Sequence, residues 1–149
     1  MNVPKLRFKE FTGEWEEKRL GEVICSQGGR ALEKFVTEDG EYKFISIGSY
    51  SEDSKYNDNG GRIELNEETK NQVLNKNDLV MILNDKTSAG NIIGRTLLID
   101  EDNKYIYNQR SQRIVCKSTI LPLYLYFYIN GCLRSKIVKG AQGATQIYI

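Results

Sequence analysis

Apolar residues recur along this chain in two patterns: short alternating or continuous runs through the middle, and one longer stretch toward the C-terminal end in which they return every fourth position. Segment 20–29 reads as a short element closed by Gly28 and Gly29, which offer the positive-φ positions of a tight turn. Residues 42–48 alternate as a strand does, 57–61 carry turn chemistry, and 62–65 resume an extended run. The run 79–83 is continuously apolar and short, the mark of a buried strand. A polar, glycine-bearing loop at 84–91 follows. Residues 92–99, 105–107 and 113–116 then give three further strands, separated by 101–103 and 108–112. The longer stretch predicts a helix from near Pro122, which suits a first helical turn, to about Lys139, with Ser118 or Thr119 as caps. Leu125, Ile129, Leu133 and Ile137 form its buried stripe. Gly131 inside it costs about 1 kcal/mol relative to Ala and marks a kink or a close backbone approach. Arg134, Lys136 and Lys139 gather at its C-terminal end, where the helix dipole favours cations. Residues 141–149 form a short β-like run, and their abrupt end reads as a cut from a longer polypeptide.

A chain of 149 residues holds one domain with its own core, and 40% apolar with 28% charged residues is the composition of a globular protein. Histidine is absent. The chain by itself therefore builds no imidazole base, no Ser-His-Asp or Cys-His pair and no His-containing zinc site. The three cysteines, Cys25, Cys116 and Cys132, are odd in number and far apart, so neither a disulfide framework nor a zinc ribbon is indicated. Neither a signal peptide nor a run of some 18 uncharged apolar residues occurs, and a reducing, cytoplasmic setting without a membrane partner is expected.

The net charge of +1 conceals a division. Residues 1–102 hold 14 basic and all 20 acidic residues, net −6, whereas 103–149 hold 7 basic and no acidic residue, net +7. Cations without local carboxylates leave a positive field that suits a polyanionic partner. The alternative is that these cations pair in three dimensions with the acidic stretch 38–68.

Phosphate-loop, dinucleotide and nucleophile-elbow motifs are missing, as is the Asn-Pro-Pro-aromatic tetrapeptide of amino-methyltransferases. The acidic-x-Lys half-motif of metal-dependent nucleases occurs at Asp53/Lys55. It also occurs at Glu16/Lys18, Glu41/Lys43, Glu68/Lys70 and Asp102/Lys104, so it discriminates nothing in a chain this rich in both charges. Gly140-Ala141-Gln142-Gly143 matches the G-x-x-G clamp of KH domains, but the residues after it are too few for the second helix, and it reads as a helix stop and a turn. The aromatic side chains Tyr124, Tyr126, Phe127 and Tyr128 on the helix are read mainly as core.

The opening PKLRFKEFTGEWEEKRLGEV, residues 4–23, resembles the start of the specificity subunits of type I restriction-modification enzymes. YKFISIGSY at 42–50, NKNDLVMIL at 75–83, QRSQRIVC at 109–116, the helix with Pro122 and the closing GATQIYI keep that family's order, so the resemblance spans the chain. It implies an α+β fold, a twisted and mostly antiparallel sheet with flanking helices and one C-terminal amphipathic helix, and residues 1–149 as a single target recognition domain ending before the spacer helix. It further implies a module without catalytic residues or cofactors that reads one half of a bipartite double-stranded DNA site. Methyltransferase subunits would supply S-adenosylmethionine chemistry, and a restriction subunit ATP-driven translocation and cleavage with Mg²⁺.

Recognition of base edges in the major groove calls for Arg, Lys, Asn, Gln and Ser on loops, each good bidentate pair contributing about 1–3 kcal/mol of discrimination. Two loops have that vocabulary: Asn84, Lys86, Thr87, Ser88, Asn91 and Arg95 on one, and Gln109, Arg110, Ser111 and Gln112 on the other. Arg113 closes the second, and strand alternation also allows it a paired place beside the core. Arg30, Lys34, Lys139, Gln142 and Thr145 are candidates for phosphate contacts, since loop ends beside glycine turns present backbone N–H groups as well as cations. Two other classes stay open, a protein-interaction module and a single-strand binder that stacks bases on some of the nine Tyr and five Phe.

Overall fold

A computed structural model describes residues 5–86, 88–143 and 147–149, with only the backbone of Ile147 and Tyr148. A one-turn helix α1 (Leu20–Val23) leads into β1 (Ile24–Gly28), followed by β2 (Val36–Thr37), β3 (Tyr42–Ile45), β4 (Arg62–Ile63), β5 (Leu79–Ile82), β6 (Asn84–Asp85), β7 (Thr96–Leu98), β8 (Tyr105–Tyr107) and β9 (Ser111–Cys116). Helices α2 (Pro122–Tyr128) and α3 (Arg134–Lys139) and a last strand, β10 (Ile147–Tyr148), complete the order. The fold is α+β, and its strands divide into two four-stranded sheets. One has the order β1-β9-β5-β7 and is antiparallel throughout; the other, β2-β4-β3-β8, is antiparallel apart from the parallel β3–β8 pair. A two-stranded ribbon joins β6 and β10.

The continuous apolar run at 79–83 is explained by its layer. Val80 and Ile82 face the second sheet, packing with Ile45, Tyr105 and Tyr107, while Leu79 and Met81 face Leu125 and Ile129 of the helical layer. A strand covered on both faces has no polar side to alternate. The outer face of the second sheet is closed by Leu32 over Tyr42, Phe44, Ile63 and Ile106.

Two predicted elements come out shorter. Of 92–99 only Thr96–Leu98 is strand, because Arg95 N–H donates to Ile92 C=O at 2.8 Å and Gly94 turns at φ +73°. A Cβ on Gly94 would lie 2.8 Å from Ile137 Cγ2, so the turn can sit against α3 only without a side chain. The helix predicted at 122–139 is two helices, joined by a π turn at Ile129–Leu133 that contains Gly131. Its stripe is nonetheless the predicted one: Leu125 and Ile129 are buried, and Leu133 and Ile137 pack beside them. The aromatics differ from expectation. Tyr126 is partly buried and donates its hydroxyl to Ser54 C=O at 2.9 Å, but Phe127 is 65% exposed, and Tyr124 and Tyr128 are exposed as a stacked pair. Among the described residues no helix is long and apolar enough to cross a membrane.

Candidate nucleic-acid interface

The two polar loops meet at one residue. Leu83 leaves β5 at the mouth of the first loop; its N–H donates to Arg110 C=O at 2.8 Å and its C=O accepts from Ile149 N–H at 2.9 Å. In the ribbon, Asn84 stands opposite Tyr148 and Asp85 opposite Ile147. Asp85 is buried and accepts Ile92 N–H at 2.9 Å, which closes the base of the loop. The second loop is held by Asn108, also buried, whose Oδ1 accepts Arg110 N–H at 3.1 Å while its Nδ2 donates to Glu33.

Arg30 joins this cluster from the other side, its C=O accepting Gln109 N–H at 2.9 Å. Gly29 makes that approach feasible: an added Cβ would lie 1.8 Å from Asn108 C=O. The role expected of Gly28 and Gly29 is thus corrected, since both have ordinary negative φ and it is room at Gly29, not handedness, that the fold needs. Asn84, Lys86, Gln109, Arg110 and Arg30 thereby come onto one edge, with Gln109 Nε2 donating to Glu33 Oε1 at 3.1 Å and Asn84 Oδ1 buried, while Ser88 is exposed further along the first loop.

The edge carries one carboxylate, Glu33, held by the Asn108 and Gln109 amides, beside its cations. Acidic residues of the 38–68 stretch pair with cations of their own region, Asp58 with Lys43 and Arg62, Asp53 with Lys55, and Glu68 with Lys34. Arg62 and Lys43 hold the Asp58 carboxyl well below the usual carboxylate range. In the cationic end, Lys104 pairs with Asp100 and Glu101, and Arg113 with Asp78, both outside that stretch. Arg30, Lys86, Arg110 and Lys139 are exposed and have no ion pair among the described residues. Beside the cluster lies an open cleft of about 820 Å³ between the two sheets, with Arg30 on its rim.

The chain matches the model of the type I restriction modification DNA specificity domain over residues 12–149. It belongs to that family. The match covers nearly the whole chain, and the family is one of DNA-recognition modules, not of catalysts. Solved structures show the same fold. The S subunit of a type I restriction-modification system from M. genitalium superposes with a TM-score of 0.63 at 17% identity, covering 100% of this chain and 34% of that one. The HsdS subunit from Thermoanaerobacter tengcongensis gives 0.59 at 14%, covering 87% and 31%. This chain therefore spans about a third of the length of those subunits. Among curated proteins none matches.

In this specificity domain several predicted contact residues serve the scaffold instead. Ser111 is fully buried, its hydroxyl 2.8 Å from Tyr50 OH in the core, and is withdrawn from the reading set. Arg95 is half-buried and spans Asn91 C=O and Ser54 Oγ, each at 3.4 Å, so it braces the loop. Asn91 is exposed, but its amide donates to Glu52 at 3.0 Å, and Arg134 donates to its C=O at 2.9 Å and to Gly90 C=O at 2.6 Å. Gln112 is half-buried in the central strand β9, opposite Gly28 and Met81. Lys34 is paired with Glu68 at 3.2 Å and lies over the Phe35 ring. Lys139 and Gln142 are exposed after the π turn, outside the Leu83 cluster's hydrogen bonds. Thr87 and Thr145 lie outside the described residues. Arg113 takes the paired alternative, 2.7 Å from the buried Asp78.

Sequence reading missed the cleft. Gln27, Lys70, Asn71, Asn75 and Asn103 line it. They come from three segments far apart in sequence, 27, 70–75 and 103, and only folding brings them together.

Proposed function

We propose that this chain is one target recognition domain of a longer specificity subunit, reading one half of a bipartite site in duplex DNA for a type I restriction-modification complex. The observation that carries the reading is the Leu83 junction, which gathers Asn84, Lys86, Gln109, Arg110 and Arg30 on one edge with their cations unpaired among the described residues. Arg suits guanine and Asn or Gln adenine, and the unpaired cations suit phosphate. Base reading is assigned to Asn84, Lys86, Ser88, Gln109 and Arg110, and phosphate contact to Arg30 and Lys139. The domain brings no catalytic group. Methyltransferase subunits with S-adenosylmethionine, and a restriction subunit with ATP and Mg²⁺, act on the DNA so selected, in the cytoplasm. The exposed Phe127, Tyr124 and Tyr128 support a protein partner over the helical layer.

The test is selection of the chain against a randomised duplex pool at low salt, with binding repeated at raised salt. Enrichment of one short half-site, with affinity falling as salt rises, is the expected result. Preference for unpaired strands, or no salt-dependent binding of nucleic acid, would overturn it.

A further inference from the structure

The inter-sheet cleft has a lining unlike the chain as a whole. Three of its twelve lining residues are cations, Arg30, Lys70 and Arg113, five are carboxamides, and none is acidic. At the chain's own composition of 20 acidic residues among 149, twelve residues would hold one or two carboxylates, and the cleft holds none. Arg113 is neutralised by Asp78 and Lys70 is shared with the exposed Glu67, so the free charge comes from Arg30, with Lys70 able to exchange partners at the surface. The side chains of Asn71, Asn75 and Asn103 are exposed and make no hydrogen bond among the described residues, leaving their N–H groups available. Cations and amide donors facing one concavity match an acceptor-only anion of repeating charge, which is a phosphodiester chain.

Position adds to composition. Arg30 is on the rim of the cleft, and its own C=O holds Gln109 N–H at 2.9 Å, so the cleft opens directly beside the second polar loop. A duplex whose bases face that loop must carry its sugar-phosphate strand past one side of it. We infer that this cleft is a backbone track, in which Arg30, Lys70, Asn71, Asn75 and Asn103 hold the phosphodiester strand flanking the bases read at Gln109 and Arg110. The inference rests on the duplex-binding reading above. It assigns the track to affinity and register, and none of the sequence preference.

Arg30→Ala, Lys70→Ala and Asn71→Asp, all at exposed positions, are compared with Arg110→Ala in the full chain. Each is titrated with the selected half-site duplex and with a scrambled duplex at two salt concentrations. The cleft variants weaken both duplexes alike, by roughly three- to tenfold, and each lost cation flattens the log K against log salt slope by about 1. Arg110→Ala weakens the selected duplex and leaves the scrambled one closer to wild type. Cleft variants with wild-type affinity and slope, beside an Arg110→Ala variant that has lost its preference, would overturn the track and the phosphate contact of Arg30 with it, while leaving the reading of duplex DNA standing. Wild-type chain that binds no duplex would overturn both. Inorganic phosphate that displaces DNA from wild type, at an ionic strength where chloride does not, would assign the cleft to free phosphate and remove the backbone from it.

Discussion

The side chain of Asn130 acts on Thr96 as a neighbouring strand would: its Oδ1 accepts Thr96 N–H at 2.9 Å and its Nδ2 donates to Thr96 C=O at 2.9 Å. The same amide also accepts from Ser54 Oγ at 2.8 Å and donates to Tyr126 C=O at 3.0 Å, so both donors and both acceptor sites are used. Asn130 lies in the π turn, and β7 is an edge strand whose outward backbone groups it satisfies. Asn130→Ala leaves a buried N–H and a C=O of Thr96 unpaired and is expected to cost about 2–4 kcal/mol. A urea midpoint within error of wild type would show that the clip contributes nothing.

Adjacent residues in the second loop should give opposite phenotypes. Ser111→Ala removes the core partner of the Tyr50 hydroxyl, and a loss of about 1–3 kcal/mol in stability with unchanged sequence preference is expected. Arg110→Ala should leave stability within about 0.5 kcal/mol and relax preference at one base position. Selections on randomised duplex, beside denaturation curves, separate the two; the reverse pattern would mean that the loop is misassigned.

The pair of Arg113 and Asp78 joins β9 to the turn before β5, and Asp78 also accepts Asn75 N–H at 2.8 Å. Arg113→Met strands a carboxylate that is 4% exposed, at an expected cost of about 3–5 kcal/mol. Replacing both partners with apolar side chains should recover much of that, although the Asn75 N–H then loses its acceptor. Calorimetry on the single and double variants measures the coupling, and additive losses would show that the pair has none.

Alkaline pH should unfold the domain early. Burial raises the hydroxyl pKa of Tyr50, Tyr56 and Tyr105, and pushes Tyr107 up to about 12. Below the ordinary tyrosine pKa of about 10, folded and unfolded chains hold the same protons on these groups and the stability is complete. As pH rises from there toward the folded-state values, the unfolded chain loses protons that the folded one retains, so stability falls. Urea midpoints at about pH 8 and about pH 11 should differ in that sense, with a further rise in tyrosinate absorbance as these four hydroxyls are released on unfolding; equal midpoints would contradict it.

Local chemistry was enough to specify much of this domain. The run 79–83, Pro122 and the stripe from Leu125 to Ile137 each carry their burial in their spacing, because strand and helix periods are properties of the backbone. The strand read as alternating at 42–48 is instead buried at Tyr42, Phe44 and Ile45 alike, since both faces of β3 are covered. The charge division likewise stands in the chain, and the two polar loops could be named from composition. What composition left undecided is which polar side chains face solvent. Ser111 and Arg110 differ by one position, yet one is sealed under Tyr50 and the other is exposed, because β9 begins there and alternates its faces. The joining of Arg30 to Gln109, the clip of Asn130 on Thr96 and the cleft between the sheets all link residues far apart in sequence. No local propensity encodes such pairs, since they exist only once two sheets have packed over a shared core and brought their edges together.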